Sequence, residues 1–338
     1  MQPISRIDPE EGQLFFRGLD IGDLAPNYDF ESILYLLVHS SLPSAEQHDE
    51  LVSSIIRLRE SAMEILSLDS VQGSDCMSAL IWLNESLNTI RTELRLDQFE
   101  TLLTMVALTP VVIANSWREC EKLELIEPRT NLKHVANFIW MLTGSLPPTQ
   151  DLKDLETTVI LHMDDPDNPS LSALEREISA GASLSEALGS ALLIHGNPLH
   201  HGAGLRAMKM IEDIADPTMV RAKLSERLDS GRRIFGIGHR IYRTVEPRAV
   251  VLRNILKRRA SGTNHEQLYK LVEKVATVGP SLARERKGLT LHPNVDLYNA
   301  AVYTTLGIPA ELNTSLFAMA RTAGWMAHIL DWKAAPSK

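Results

Sequence analysis

The chain has 338 residues, of which 44% are hydrophobic, 5% aromatic and 23% charged, with a formal net charge of −9. That balance excludes disordered and fibrous classes and fills a core large enough for more than one lobe, while two cysteines, Cys76 and Cys120, are too few for a disulfide framework or a cysteine-built zinc site. No apolar stretch nears the roughly 20 residues that span a bilayer, and residues 1–12 lack the layout of a signal peptide or organelle presequence, so a cytoplasmic protein without membrane contact is expected.

In chain order, Gln13-Leu14-Phe15-Phe16-Arg17 reads as a short strand, with turn residues before it. Apolar residues three and four apart predict helices over 30–37 and 135–142. The same spacing prevails almost everywhere and alternating β-branched runs are scarce, so an all-α fold is expected. Loops are marked by Ser41-Leu42-Pro43, Leu146-Pro147-Pro148, Gly196-Asn197-Pro198 and Gly307-Ile308-Pro309. A helix is expected from about 205, another beginning at Asp296, and a last one over 316–330. Internal repeats and low-complexity segments are absent from the sequence.

Charge is unevenly spread. Residues 221–287 carry 17 Lys/Arg against 6 Asp/Glu, whereas the remainder carries 17 against 37. A basic block in an acidic chain points to an anion met locally, or to a solvated basic helix face. Its aromatics are Phe235, Tyr242 and Tyr269, too few for a nucleic-acid stacking platform, so a phosphate- or carboxylate-bearing small molecule fits better. A basic lobe inserted into an acidic body explains both edges of the block.

Polar groups gather at three turns. In the first, residues 196–204, His200 and His201 sit beside Gly202 between two helices, where an imidazole is either a satisfied polar group or projects into a cleft. The second, residues 235–248, joins Gly236-Ile237-Gly238-His239 to Arg240, Arg243 and Arg248. Its glycines allow close backbone approach and its arginines offer forked donors to carboxylate or phosphate. It lacks the third glycine of a dinucleotide fingerprint and the Gly-Lys-Ser/Thr end of a phosphate loop. In the third, residues 292–298, Asp296 starts a helix and is either a favourable first-turn acid or a working carboxylate. Arg321, among small and apolar neighbours, requires an anion, from the protein or from a ligand.

Together these segments resemble the citrate synthase family. The resemblance rests on Pro198-Leu199-His200-x-Gly202-Ala203, Gly236-x-Gly238-His239-Arg240-x-Tyr242 with Pro247-Arg248, Pro293-Asn294-Val295-Asp296-x-Tyr298, and Phe317-Ala318-Met319-Ala320-Arg321-Thr322 with Gly324-Trp325. Further similarity at Ile7-Asp8-x-x-x-Gly12, Arg17-Gly18-x-Asp20-Ile21 and Met141-Leu142-Thr143-Gly144 extends it over nearly the whole chain. It implies a two-domain all-helical fold, residues 1–202 and 313–338 forming the large domain and 203–312 the small one, with the active site between them. It implies a homodimer, or a hetero-oligomer with a longer relative. The implied reaction condenses acetyl-CoA with oxaloacetate to citrate and CoA, with no metal and no tightly held cofactor; propionyl-CoA is the alternative co-substrate, giving 2-methylcitrate. Asp296 matches the base that removes the methyl proton, His200 the donor to the enol oxygen, and His239 the acid for the ketone. Arg248 and Arg321 match carboxylate clamps, Arg243 a CoA-phosphate contact, and the backbone of Gly236, Ile237 and Gly238 an adenine neighbour.

Departures from the family pattern point to altered acceptor binding. The family usually has His-x-Asp-His-Glu where this chain has His162-Met163-Asp164-Asp165-Pro166, so a histidine that binds oxaloacetate is replaced by Asp165. An anionic substrate is expected to be repelled there unless Asp165 is protonated or turned away. No match is found to the family's C-terminal arm with its carboxylate-binding arginine, Glu246 stands where Asp is usual, and His201 and Leu205 replace Gly and Glu. Other readings on these grounds are a different 2-oxo acid, citryl-CoA cleavage, or a non-catalytic CoA-binding or regulatory relative.

Overall fold

The computed structural model describes residues 2–66, 74–197 and 202–334. Its elements begin with strands β1 (Ser5–Asp8), β2 (Gln13–Phe16) and β3 (Leu19–Asp20) and helices α1 (Ile21–Asn27), α2 (Phe30–His39), α3 (Ala45–Met63), α4 (Cys76–Leu94) and α5 (Gln98–Cys120). There follow α6 (His134–Thr143), α7 (Thr149–Ile160), α8 (Pro169–Ser179), α9 (Leu184–Gly196) and α10 (Ala203–Ile214). The last are α11 (Val220–Asp229), α12 (Pro247–Ala260), α13 (Glu266–Lys287), α14 (Val295–Thr305) and α15 (Asn313–Ala334). The fold is all-α, as the apolar spacing predicts.

The expected strand is present as β2, flanked by two strands that the sequence pattern did not signal. Both pair antiparallel with it, in the registers Ser5↔Phe16 and Phe16↔Leu19. At four and two residues, they are too short to show an alternating pattern. Gly12 turns the first hairpin at φ +66°, and a Cβ there would lie 2.5 Å from Thr244 Cγ2. The glycine thus lets the hairpin rest on the loop before α12, where the Arg243 N–H donates to Pro9 O.

Helix starts follow the side chains available to cap them. Asp29, Ser44, Asp75, Asp97, Asn168 and Ser183 each accept a first-turn N–H of the helix that follows. Helix α5 corrects the expectation that no segment is long and apolar enough to span a bilayer: it is 23 residues long and contains an 18-residue apolar stretch of that character. Most of it is buried within the protein, packed against α3, α4, α6 and α15, so its all-round apolarity is that of a central core helix. Helices α10 to α14 pack mainly on one another, and α15 returns to α2, α5, α7, α8 and α9.

Two polar contacts tie the N-terminal strands to α15. Arg17, buried and at φ 48°, donates to Leu37 O and Gln2 O and pairs with Asp331. Ser5 Oγ donates to Asp164 Oδ2 at 2.5 Å, and His328 Nε2 meets the same oxygen at 3.0 Å. Burial opposes a charge on His328, but Asp164 and then Glu175 outweigh it and raise its pKa from 6.5 to about 9. A folded pKa above the unfolded one contributes stability fully present below pH 6.5 and lost as pH climbs through about 9. The urea midpoint should therefore fall across that window in the wild type. His328→Gln should start lower and show a flatter profile; equal slopes in the two proteins would show that the pair does not contribute.

Candidate active site

Four chain segments converge on one cavity of about 300 Å³. They are the turn between α7 and α8, the loop 235–246 with the start of α12, the start of α14, and the first half of α15, and Gly202 at the start of α10 joins them.

The glycine loop and the start of α14 are built as one unit. Gly236 C=O and Gly238 N–H frame a short ladder in which Asn294 N–H donates to Gly236 O at 3.0 Å, Gly238 N–H donates to His292 O at 2.7 Å, and Ile237 bridges Pro293. Asn294 also caps α14, accepting the Asp296 N–H at 3.0 Å while its Nδ2 donates to Gly238 O at 2.7 Å. Gly236 has φ +77°, and a Cβ there would lie 2.6 Å from Leu297 Cβ, so only glycine permits this approach. The consequence is that His239 and Asp296, 57 positions apart in the numbering, line the same cavity.

The environment sets the proton positions. His239 Nδ1 accepts N–H groups from Ile241 at 3.1 Å and Tyr242 at 3.3 Å, which leaves its proton on Nε2. Burial holds its pKa below 6.5, so the ring is a neutral Nε2–H donor. Asp296 carries the opposite bias for an acid: burial, then the nearby Glu246 carboxylate, raise its pKa to about 6 against the pull of Arg248. A carboxylate of that basicity can accept a proton from carbon near neutral pH.

Glu246, Arg248, Asp165 and Arg321 form a linked charged cluster at the same site. Glu246 binds Arg248 Nε through one oxygen and, through the other, accepts the Val295 N–H at 2.8 Å, joining α12 to α14. Asp165 Oδ2 lies 3.3 Å from Arg248 Nη2 and 3.4 Å from Arg321 Nη2. Burial opposes its charge, but Arg248 and then Arg321 outweigh it and hold Asp165 below the usual carboxylate range. Asp165 is thus neither protonated nor turned from the arginines, the two escapes considered from sequence. Gly324 lets α15 approach the turn before Asp165, because a Cβ there would collide with Met163 O and lie 2.7 Å from Asp164 Oδ1.

Of the residues singled out in the sequence, Asp165, Gly202, His239, Arg240, Arg248, Asp296 and Arg321 line this cavity. His200 and His201 lie outside the described residues. Ile237 lines a neighbouring cavity of about 250 Å³ edged by Arg232, Arg233, Arg286 and Lys287. Arg243 is exposed and lines neither cavity; Gly236 and Gly238 pack against Leu297 and Leu291. Several cations of the basic block are spent internally, Arg253 on Glu273, Arg259 on Asp151 and Asp154, and Arg286 on Asp229. Sequence reasoning missed Asn168, Asn313, Thr314 and Phe317 as cavity wall. Asn168 and Asn313 stand at helix starts, a position that reads as capping until the fold shows what lies above it.

The family described as "Citrate synthase, C-terminal domain" matches residues 2–337. The chain belongs to the citrate synthase family. A citrate synthase of Acidithiobacillus ferridurans is 34% identical, with 96% of this chain and 87% of the relative aligned. The crystal structure of citrate synthase from Thermotoga maritima superposes with a TM-score of 0.83 at 28% identity, covering 99% of this chain and 91% of that one. The enzyme of Thermoplasma acidophilum, solved as a ternary complex with carboxymethyl coenzyme A and oxaloacetate, shares the fold with a TM-score of 0.86 at 21% identity, covering 99% of this chain and 90% of that one. Members of the family are acyltransferases.

Proposed function

We propose that this chain joins the methyl carbon of acetyl-CoA to the ketone carbon of oxaloacetate and hydrolyses the thioester formed, releasing citrate and CoA. The observation that carries the reading is one cavity with a carboxyl of pKa about 6 on Asp296 and a neutral Nε2–H donor on His239. The thioester methyl is a very weak carbon acid, so a base must take its proton as charge develops on the thioester oxygen. Asp296 is that base, and His200 is the donor to the oxygen by family likeness. His239 Nε2–H then protonates the ketone oxygen as the carbon–carbon bond forms. Arg321 and Arg248 hold the acceptor, and water finally cleaves the carbon–sulfur bond.

CoA lies along the basic block in this reading. Support comes from the arginine- and lysine-edged cavity beside Ile237, adjacent to the glycine loop. Residues 203–312 form the smaller lobe, supported by the mutual packing of α10 to α14, and the assembly is a homodimer by family likeness. No metal-ligating cluster occurs among the described residues, and the chemistry assigned here calls for none. The test is thiol-detected CoA release from acetyl-CoA with and without oxaloacetate. Acceptor-dependent release is expected; its absence from folded protein at saturating substrates would overturn the reading.

A further inference from the structure

Two buried guanidiniums, Arg248 and Arg321, line the cavity on either side of Asp165, and Glu246 lies buried against Arg248. Arg248 is engaged by Glu246 at Nε and by Asp165 at Nη2. Arg321, buried at 1% exposure, gives Nη2 to the same Asp165 oxygen and leaves Nε and Nη1 without an acceptor among the described residues. Asp165 therefore stands between the two arginines in the manner of a bound acid. It is fixed there, since its other oxygen accepts the Asp167 N–H at 3.2 Å and Asn168 caps α8 immediately after.

Buried donors without acceptors favour one incoming carboxylate on Arg321, where two N–H groups are unused. A second carboxylate would meet Asp165 in the seat between the two buried arginines, with Glu246 behind Arg248; the other arginine on the described wall, Arg240, is exposed and gives Nη2 to Asp167 O. We infer that Asp165 is a built-in carboxylate filling one of two acid seats, so that a 2-oxo acid with a single carboxylate is a further acceptor, preferred to oxaloacetate. This rests on the proposed condensation and adds the acceptor class. The stoichiometry is acetyl-CoA plus 2-oxo monocarboxylate plus water giving a 2-hydroxy dicarboxylate plus CoA. The methyl proton goes to Asp296, the ketone oxygen takes one from His239, and water replaces sulfur at the thioester carbon. The sulfur leaves as the CoA thiol.

The test compares oxaloacetate, pyruvate and 2-oxobutyrate as acceptors with acetyl-CoA, using the full chain and its Asp165→Asn and Asp165→His variants. The wild type should show the higher kcat/KM with a monocarboxylate. In Asp165→Asn the ratio should move about thirtyfold or more towards oxaloacetate, through the oxaloacetate KM. A wild type that prefers oxaloacetate, or a ratio unchanged in both variants, would overturn the inference while leaving the condensation intact. Should Asp165→Asn fail to fold, the wild-type preference and Asp165→His decide. Solvent hydrogen exchange into the acetyl-CoA methyl separates the two levels. Exchange without release from any monocarboxylate overturns the acceptor class alone, and neither exchange nor release removes the condensation reading and this inference with it.

Discussion

Asp296→Ala should lower CoA release by about 10²–10⁴-fold, the range associated with loss of a positioned general base. The wild-type kcat/KM should rise with pH through about 6, because Asp296 works ionised and burial places its pKa there. His239 acts uncharged, and burial lowers its pKa from the ordinary imidazole value, which favours that form. The same substitution should leave the protein more stable at pH 7.5. A carboxyl whose folded pKa exceeds its unfolded one favours folding below about 3.8 and loses that contribution as pH rises through about 6. Removing it therefore raises Tm above pH 6, and the gain closes towards pH 4. An inactive variant with raised Tm would place Asp296 in the chemistry, whereas one that merely melts early would not.

Arg248→Ala should be the most destabilising single change in the site. It leaves Glu246 and Asp165 as buried carboxylates with one partner removed, a situation that costs about 3–5 kcal/mol. Urea titration should show the midpoint falling with little change in slope. Adding Glu246→Gln should recover part of the loss, because the coupled charge disappears with its partner. CoA release should fall in both proteins, since neither keeps a guanidinium at position 248. If the single variant keeps the wild-type midpoint, the charge network at the floor of the cavity does not carry the weight assigned to it.

These two predictions draw on information of different origin. The helical class follows from apolar spacing, which is a local property: residues 30–37 and 135–142 sit within α2 and α6, and the expected last helix lies inside α15. The motif residues His239, Arg248, Asp296 and Arg321 were also legible, because glycine-rich turns, a first-turn acid and an arginine amid apolar neighbours are each unusual in their immediate context. Local pattern could not reveal β1 and β3, whose pairing depends on the neighbouring strand more than on their own residues. Nor did it mark α5 as a segment of spanning length and apolarity, a character that its burial on nearly all sides explains.

Asp165 shows the boundary most clearly. From the sequence it was a departure with two escapes, protonation or rotation; the fold instead sets it between guanidiniums contributed by α12 and α15. Its charge state depends on groups 83 and 156 positions away, and no pattern around residue 165 encodes them. The same holds for the proton on His239 Nε2 and for the basicity of Asp296, which arise from backbone donors, burial and a neighbouring carboxylate. The sequence alone determined the helical class and the identities of the reactive groups, because these reside in local spacing and side-chain chemistry. Which groups face one another, and with what charge, was decided only by tertiary packing, because electrostatics and desolvation act through space between segments far apart in the chain.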